Sequence, residues 1–319
     1  MKIPLALIAS LPFLMHANLK AQEWPARPIT LVVAYAPGGL GDALARTVAE
    51  RLAVSIKQSV LVENKPGATG AIASKFVARA NADGYTLLLG QTGEIAINTA
   101  VMKDTGYDPV KDFRAIALVG DSPLVLVAPP NAPFSSVREI AQAASRGTLT
   151  SYASSGTATP GHLAAEALLG ALKVQITHVP YKGAGPALTD VLGGHVSFFF
   201  SSAGATFGHV KAGKLKAIAV SSGTRIAALP NTPTVAETIA GFQFGLWGGV
   251  FAPAGTPNEV AAQLNREINK VLAEPATKQR IEDLGAIVRT LTSDEFSDFV
   301  RRETVKFAGL VKQIGIKPE

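Results

Sequence analysis

The residues best suited to chemistry lie in five short loops that each follow an apolar run and precede a helical pattern. These loops are residues 37–39, 91–93, 154–157, 183–185 and 201–202. Glycine lets a ligand approach the backbone, and serine and threonine hydroxyls donate hydrogen bonds. At a helix N-terminus, free N–H groups and the helix dipole attract an anion without a lysine or arginine. The loops therefore favour a site for a small anion, although ordinary turns use the same residue types.

Two side chains beside these loops each have two interpretations. Asp42 lies in the first turn of the helix predicted after Gly39, where it either stabilises the helix end or contacts a donor group of a ligand. His162 lies in the first turn of the helix after the serine loop. It either holds a ligand carboxylate or serves as a local cap or buried hydrogen-bond partner. The sequence leaves both alternatives open.

Catalytic motifs are incomplete or missing. Gly39-x-Gly41-x-x-Leu44 and the later Glu63 are spaced as in a dinucleotide fingerprint, but leucine stands where the third glycine belongs. Gly-Lys-Ser/Thr, Gly-x-Ser-x-Gly, Ser-x-x-Lys and His-Glu-x-x-His do not occur. The chain has no cysteine, which excludes thiol nucleophiles and thiolate metal sites. We expect a protein without enzyme activity, cofactor or metal; the alternative is a periplasmic hydrolase or nucleotide-dependent enzyme acting on a small acid.

Strands and helices must alternate to position these loops. Apolar runs predict strands at residues 29–35, 60–63, 85–89, 113–118, 124–127, 149–153, 176–179, 196–200, 215–220 and 244–252. Helical patterns between them cover residues 40–57, 70–79, 160–172 and 186–192. Such alternation produces β-α-β units, so we predict an α/β fold of mainly parallel sheets flanked by helices. Ligands of such sheets bind beyond the carboxyl ends of strands, where the loops are expected.

The order of these elements predicts two lobes. Residues 22–123 together with 247–319 would form lobe 1, and the insert 124–246 would form lobe 2. Two extended crossings, near 124–127 and 244–251, would form the hinge. A hinge between two lobes is a common device for closing on a ligand.

The N-terminus has the layout of a secretory signal peptide. Lys2 supplies a positive charge, residues 3–15 are almost wholly apolar, and Ala21 is a small residue at the expected cleavage site. The apolar stretch is too short to span a bilayer as a helix. We therefore expect residues 1–21 to be removed on export and the mature protein to be soluble.

The composition limits the possible partners. The net charge is +6 at pH 7, but basic runs are short and aromatic residues make up 7% of the chain. A nucleic-acid groove would need both, so no nucleic-acid partner is expected. Charged residues make up only 17%, and 30 glycines and 20 prolines are spread without a period. This composition indicates many short elements, and we expect a monomer.

Seven segments resemble one known family, in the expected order and over essentially the whole mature chain. They are residues 24–33, 36–39 with Asp42 and Arg46, 62–68, 82–88, 152–156, 178–183 with 185–188, and 251–257. The chain resembles the periplasmic substrate-binding proteins of tripartite tricarboxylate transporters, also called Bug proteins. The resemblance implies a type II, Venus-flytrap binding protein that closes on a small carboxylate and delivers it to a membrane permease.

The resemblance also implies which residues contact the ligand. Main-chain amides, hydroxyls and water of two facing loops characteristically hold the carboxylate in this family. The implied contacts in lobe 1 are Tyr35, Pro37, Gly38, Gly39, Asp42, Gln91 and Thr92. Those in lobe 2 are Ser154, Ser155, Gly156, Thr157, His162, Tyr181, Gly183, Ala184, Ser201 and Ser202.

One departure from the family bears on the ligand. The family usually has Val-Asp-x-x-Phe-Asp where this chain has serines at 197 and 201. Residue 201 is expected to face the cleft, where a lost aspartate removes a partner for a ligand ammonium group. The sequence therefore predicts a dicarboxylate or aromatic carboxylate rather than an amino acid.

Overall fold

Strands and helices alternate along the chain. The computed structural model describes residues 24–181 and 183–318; the predicted signal peptide lies outside the described residues. The strands are β1 (Ile29–Val33), β2 (Val60–Asn64), β3 (Thr86–Gln91), β4 (Phe113–Ala128), β5 (Ser151–Ser154), β6 (Thr177–Pro180), β7 (Phe199–Ser202), β8 (Lys216–Val220) and β9 (Gly245–Pro253). The helices are α1 (Leu40–Ile56), α2 (Ala71–Ala78), α3 (Asn98–Val101), α4 (Val137–Ser145), α5 (Pro160–Leu172), α6 (Ala184–Leu192), α7 (Ala203–Lys211), α8 (Asn258–Ala273), α9 (Pro275–Asp283) and α10 (Ser293–Gln313). Within these ranges no helix has the length and apolar character needed to cross a bilayer.

The strands of the described chain form one mixed sheet with parallel flanks and an antiparallel centre. Its order is β2-β1-β3-β9-β4-β7-β5-β6, with β8 beside β4. In the first lobe β1 is parallel to β2 and β3, and in the second β5 is parallel to β6 and β7. β4 and β9 are antiparallel to each other and to their outer neighbours. The carboxyl ends of the parallel strands therefore carry the loops that the sequence singles out.

β4 and β9 form the antiparallel centre of the sheet, where β9 pairs with β3 on one side and β4 pairs with β7 and β8 on the other; we refer to them as the crossing strands. The sequence predicts two strands, at 113–118 and 124–127, but residues 113–128 form one strand of 16 residues. Pairing with β9 continues from Phe113↔Pro253 to Pro123↔Gly245 and tolerates two register shifts on the way. The residues in the middle of β4 favour a turn, but the strand continues because its backbone N–H and C=O groups form hydrogen bonds with the neighbouring strand.

Helices cover both faces of the sheet. In the first lobe, α1, α8 and α9 bury Leu44, Ile268 and Ile281 completely on one face. On the other face, α10 buries Phe296 edge-on against Trp247, with ring centroids 6.2 Å apart. Each large apolar side chain removed from water in this way stabilises the fold by about 1.5–3 kcal/mol. This packing fixes the positions of the strands and therefore the positions from which the loops at their ends begin.

A close backbone contact joins α7 to the turn after α9, two segments that the predicted division assigns to different lobes. A Cβ atom at Gly204 would lie 2.3 Å from the carbonyl oxygen of Leu284. The Ser122 hydroxyl of β4 donates to the carbonyl oxygen of Gly285, 2.7 Å away. Only glycine at position 204 permits this approach, because backbone atoms cannot move aside as a flexible side chain would.

Replacing Gly204 by alanine should therefore destabilise the protein. We expect Gly204→Ala to lower the free energy of unfolding by about 1–3 kcal/mol, the usual cost of overpacking. Gly208→Ala is the matched control, since it lies in the same helix and its added Cβ would meet nothing within 4 Å. It should raise stability by about 0.5–1 kcal/mol because alanine favours helix. Urea unfolding of both variants measures these changes in stability. Equal unfolding midpoints would contradict the destabilisation expected for Gly204→Ala.

Candidate ligand-binding site

The first half of the candidate site is the loop between β1 and α1. Pro37, Gly38 and Gly39 are all exposed, and Gly38 has a positive φ of +89°. Gly39 is the N-cap of α1 and no side chain caps this helix. The first N–H groups of α1 are thus open to an anion, as the sequence predicts for this type of loop.

Asp42 fixes the shape of this loop from inside. Its Oδ2 atom accepts hydrogen bonds from the Gly38 N–H and from Arg46 Nε, both at 3.0 Å. Its Oδ1 atom accepts from Asn64 Nδ2 and pairs with Arg46 Nη2, also at 3.0 Å. The Arg46 hydrogen bond is the main cause that lowers the pKa of Asp42 to about 2, so the carboxylate is ionised at neutral pH. With both oxygens occupied and only 5% of the residue exposed, Asp42 fits the helix-end interpretation.

Glu94, which the sequence interpretation passed over, supports the same half of the site. Its carboxylate accepts a hydrogen bond from the Tyr35 hydroxyl at 2.8 Å and another from the Gln91 N–H at 2.7 Å. The side chain is fully buried, and desolvation raises the pKa of Glu94 to about 7. Glu94 therefore joins the loop after β1 to the turn after β3. Its signal in the sequence is a single acid within the otherwise apolar stretch 93–97.

Gln91 and Thr92 take different positions although they are neighbours. The Gln91 carboxamide lies over Gly41 at the start of α1, where an added Cβ would be 2.5 Å from its carboxamide atoms. Gln91 thus joins the loop at 37–39. Thr92 is fully buried, and its hydroxyl accepts a hydrogen bond from the Trp247 N–H of β9 at 2.8 Å. The structure therefore ties the Thr92 hydroxyl to a crossing strand rather than leaving it free for a ligand.

The second half of the candidate site consists of two loops fastened to each other. Ser154 is buried at the end of β5; its Oγ accepts from the Gly156 N–H at 3.2 Å and lies 2.7 Å from His178 Nε2. The Gly183 N–H donates to the Ser155 carbonyl oxygen and the Tyr181 N–H to that of Ser154, both at 3.0 Å. Ser155 and Gly156 are half-buried, and Thr157 is exposed. The loops after β5 and β6 therefore present one continuous edge.

His162 lies behind this edge as a buried neutral ring. Its Nδ1 atom accepts a hydrogen bond from the Ala158 N–H at 3.0 Å, and its ring stacks on His178 with centroids 4.0 Å apart. Burial is the first cause, and the neighbouring His178 the second, that lowers the pKa of His162 to about 4. Only 5% of the residue is exposed. These contacts favour the local cap over direct contact with a ligand.

The start of α6 is open in the same manner as the start of α1. Gly183 is its N-cap, with φ +111°, no side chain caps the helix, and Ala184 is the first helical residue. Added Cβ atoms at Gly183 and Gly185 would meet nothing within 4 Å. The Tyr181 hydroxyl instead points along the helix and donates to Asp190 Oδ2 at 2.5 Å. Burial and this aspartate raise the pKa of Tyr181 to about 12, so the phenol stays protonated.

Ser201 and Ser202 end β7 where α7 begins. Ser202 is half-buried, whereas Ser201 is only 2% exposed and so is more enclosed than a residue facing an open cleft. The Ser201 Oγ is one of the buried side-chain atoms that have no hydrogen-bond partner among the described residues. A buried hydroxyl without a partner costs free energy, which a bound oxygen atom would offset.

Taken together, the two halves offer N–H groups and hydroxyls at the carboxyl ends of β1, β5, β6 and β7. The one acid among the predicted contacts, Asp42, is neutralised by Arg46. Glu94, His162 and His178 lie behind the loops. Their side chains hold the loop backbone in position, and other N–H groups of that backbone remain available to bind an anion. This arrangement suits a small anion held by hydrogen bonds.

Comparison with known proteins identifies a family that this chain matches. Residues 44–316 match the model of the tripartite tricarboxylate transporter family receptor. Protein BugT of Bordetella pertussis (strain Tohama I) is 35% identical over 304 residues, which cover 94% of this chain and 93% of BugT.

Two solved structures from Rhodopseudomonas palustris are also similar. Rpa4515 with adipate is 33% identical, with a TM-score of 0.83 over 93% of this chain and all of the other. MatC (Rpa3494) with bound malate is 32% identical, with a TM-score of 0.78 over 90% of this chain and all of the other. These scores confirm the predicted α/β, two-lobe, type II binding-protein fold.

The same comparisons decide between a carrier and an enzyme. The matching family is a receptor family, and a further similar structure, the periplasmic binding protein BugD, is 35% identical, with a TM-score of 0.80 over 93% of this chain and all of the other. The expectation of a protein without enzyme activity is confirmed, and the hydrolase and nucleotide-dependent alternatives are set aside. The chain belongs to the tripartite tricarboxylate transporter receptor family of periplasmic solute-binding proteins.

Proposed function

We propose that this protein captures a small dicarboxylate or aromatic carboxylate between its lobes and delivers it to the permease of a tripartite tricarboxylate transporter. The observation that carries the proposal is the pair of uncapped helix starts, at Gly39 and Gly183, which lie at the carboxyl ends of strands from different lobes. Each start offers N–H groups and a positive dipole end to a carboxylate. A ligand with two carboxylates can bind the N-terminus of α1 with one carboxylate and the N-terminus of α6 with the other.

The balance of charge supports a ligand without an ammonium group. Both carboxylate oxygens of Asp42 accept hydrogen bonds from groups of the protein. Where the family usually has a second acid, this chain has Ser201. An ammonium group would find no free carboxylate among these two positions, whereas a carboxylate would meet N–H and O–H donors. The adipate and malate bound by the two similar structures are dicarboxylates, which agrees with this preference.

Not every predicted contact has the same role in this proposal. The ligand surface would consist of exposed or half-buried groups at Pro37, Gly38, Gly39, Gln91 and residues 155–157, 183–184 and 202, together with the unpartnered Oγ of the buried Ser201. Ser154 lies behind this surface, because its Oγ accepts from the Gly156 N–H. Asp42, Thr92 and His162 fix the backbone behind it, because their polar atoms are bonded within the protein. Tyr35 and Tyr181 belong to the second group through their hydroxyls, which donate to Glu94 and Asp190.

The location and the movement of the protein complete the proposal. Export through a signal peptide ending near Ala21 would place the mature chain in the periplasm, where a receptor of this family meets its ligand. Residues 22–123 with 247–319 and residues 124–246 would move as two bodies. The crossing strands β4 and β9 would bend between them, as expected for hinge closure.

Dicarboxylates should stabilise the purified mature protein, and amino acids should not. A ligand at 100 times its dissociation constant adds about 2.7 kcal/mol to the free energy of unfolding, which shifts the melting temperature measurably. We expect such shifts with adipate, malate or aromatic carboxylates in a thermal-shift screen. Saturable binding of aspartate or glutamate, with none of the plain acids, would overturn the proposed ligand class.

A side chain at the start of α1 should block the site without disturbing the fold. Gly39 has an ordinary φ of −79°, and an added Cβ would meet only the Ala36 carbonyl oxygen, at 3.9 Å, which is ordinary contact, so Gly39→Leu introduces no backbone strain. We expect its carboxylate affinity to fall at least tenfold, or about 1.4 kcal/mol, by isothermal titration. Gly309→Leu, on the exposed face of α10 with nothing within 4 Å, is the control and should bind normally. Full affinity in Gly39→Leu would show that this loop is only a turn.

The buried carboxyl of Glu94 should give stability a distinct pH dependence. Its pKa is about 7 in the folded protein and 4.5 as the ordinary value, so the folded state keeps a proton that the unfolded state loses. The resulting stability is present below pH 4.5 and disappears as the pH rises through 7, a change of about 3 kcal/mol. Glu94→Gln removes this contribution. Urea unfolding at pH 5, 6, 7 and 8 should show wild type losing stability relative to the variant, and parallel curves would refute the assignment.

A further inference from the structure

A cavity of about 230 Å³ lies beside the crossing strands, away from the ligand loops. β4 contributes Asp121 to its wall, β9 contributes Trp247, and α10 contributes Phe299 and Arg302. None of the contact residues predicted from the sequence lines it. The cavity is therefore separate from the site proposed above.

One of the cations that line this cavity has no anionic partner among the described residues. Arg289 Nη1 lies 3.6 Å from Asp121 Oδ2, and Lys306 pairs with Glu303. Glu303 also accepts a hydrogen bond from Trp247 Nε1 at 3.2 Å. Among the described residues, Arg302 forms neither an ion pair nor a side-chain hydrogen bond, although it lines the same cavity. Its guanidinium is free to bind a carboxylate in the bidentate manner.

Three aromatic side chains form one part of the remaining wall, beside Ser222, Gln243 and Ile287. Trp247 and Phe299 meet edge to face with ring centroids 5.4 Å apart, and Phe244 completes this side. Trp247 is only 1% exposed, but Phe299 is half-buried, so a further ring packed on this side would remove apolar area of Phe299 from water. An aromatic part of the wall beside a single uncompensated cation favours a molecule that has one ring and one negative charge.

We propose that this cavity is a second ligand site, for a small aromatic monocarboxylate. The carboxylate would pair with Arg302 and the ring would pack against Trp247 and Phe299. A dicarboxylate fits less well, because Asp121 and Glu303 would repel its second charge. The site takes its walls from both crossing strands and from α10, so it does not depend on the loops at 37–39 or 154–157.

The test uses Trp247 as its own reporter, with benzoate as the probe. The chain has two tryptophans, so Trp24→Phe leaves Trp247 as the single emitter in the cavity. In this background, benzoate should change the fluorescence saturably, and benzylamine, with a ring of the same size and the opposite charge, should not. Arg302→Gln should weaken benzoate at least tenfold, and Arg302→Lys should restore part of the affinity. Arg301→Gln is the matched control, since Arg301 pairs with Asp298 and is not part of this cavity.

A third variant separates this site from the proposed cleft. Gly39→Leu, which closes the loop before α1, should leave the benzoate signal of Trp247 unchanged. Absence of a saturable change overturns the proposal, as does equal weakening by Arg301→Gln and Arg302→Gln. A signal lost in Gly39→Leu but kept in Arg302→Gln would place benzoate in the cleft and overturn it too. Unfolding midpoints of the arginine variants, expected to be equal because both side chains are exposed, exclude a loss through misfolding.

Discussion

The antiparallel pairing of β4 with β9 is the constraint on which the rest of the structure depends. The two strands pair from Phe113↔Pro253 to Pro123↔Gly245, and both lobes attach to this ladder: β3 pairs with β9, and β7 and β8 pair with β4. The parallel strands β1, β2, β5 and β6 are fixed only through these neighbours. Every candidate loop follows one of the outer strands, so in the proposed hinge closure its position relative to the opposite lobe would be set by how the crossing strands bend. The buried hydrogen bond from the Trp247 N–H to Thr92 joins a loop to the ladder directly.

Behind the open loops, both lobes use buried ionisable groups as supports. Glu94 receives hydrogen bonds from Tyr35 and Gln91 in the first lobe, while His162 and His178 stack behind Ser154 in the second. Burial disfavours the charged form in each case, so the pKa of Glu94 rises and the pKa values of both histidines fall. Between pH 4.5 and 6.5 the acid makes the folded state less stable as pH rises and the histidines make it more stable. The two effects on stability therefore partly offset each other, and Glu94 and His162 are both largely uncharged between pH 4.5 and 6.5.

Much of the fold could be predicted from sequence, because hydrophobic runs and turn residues are local signals. The helix predicted at 160–172 has those bounds as α5, and α1 and α6 differ from prediction by one and two residues at an end. The continuity of β4 could not be seen, since only the pairing with β9 overrides the turn-forming types around Gly120 and Pro123. The same limit applies to the candidate site. Composition located the loops, but which hydroxyls are free depends on distant partners, such as Trp247 for Thr92 and Glu94 for Tyr35.

The low charge of the chain follows from this division between supports and binding groups. An arginine in the loops would hold an anion strongly in the open as well as in the closed arrangement. N–H and O–H dipoles act only over a short distance, so under the proposed function each lobe alone would give a weak site and both together a strong one. In the proposed function, affinity would therefore depend on closure, and a transporter could release the ligand by parting the lobes. Ser201 would act on selectivity in the same way, because a neutral hydroxyl favours an acid where an aspartate would favour an ammonium group.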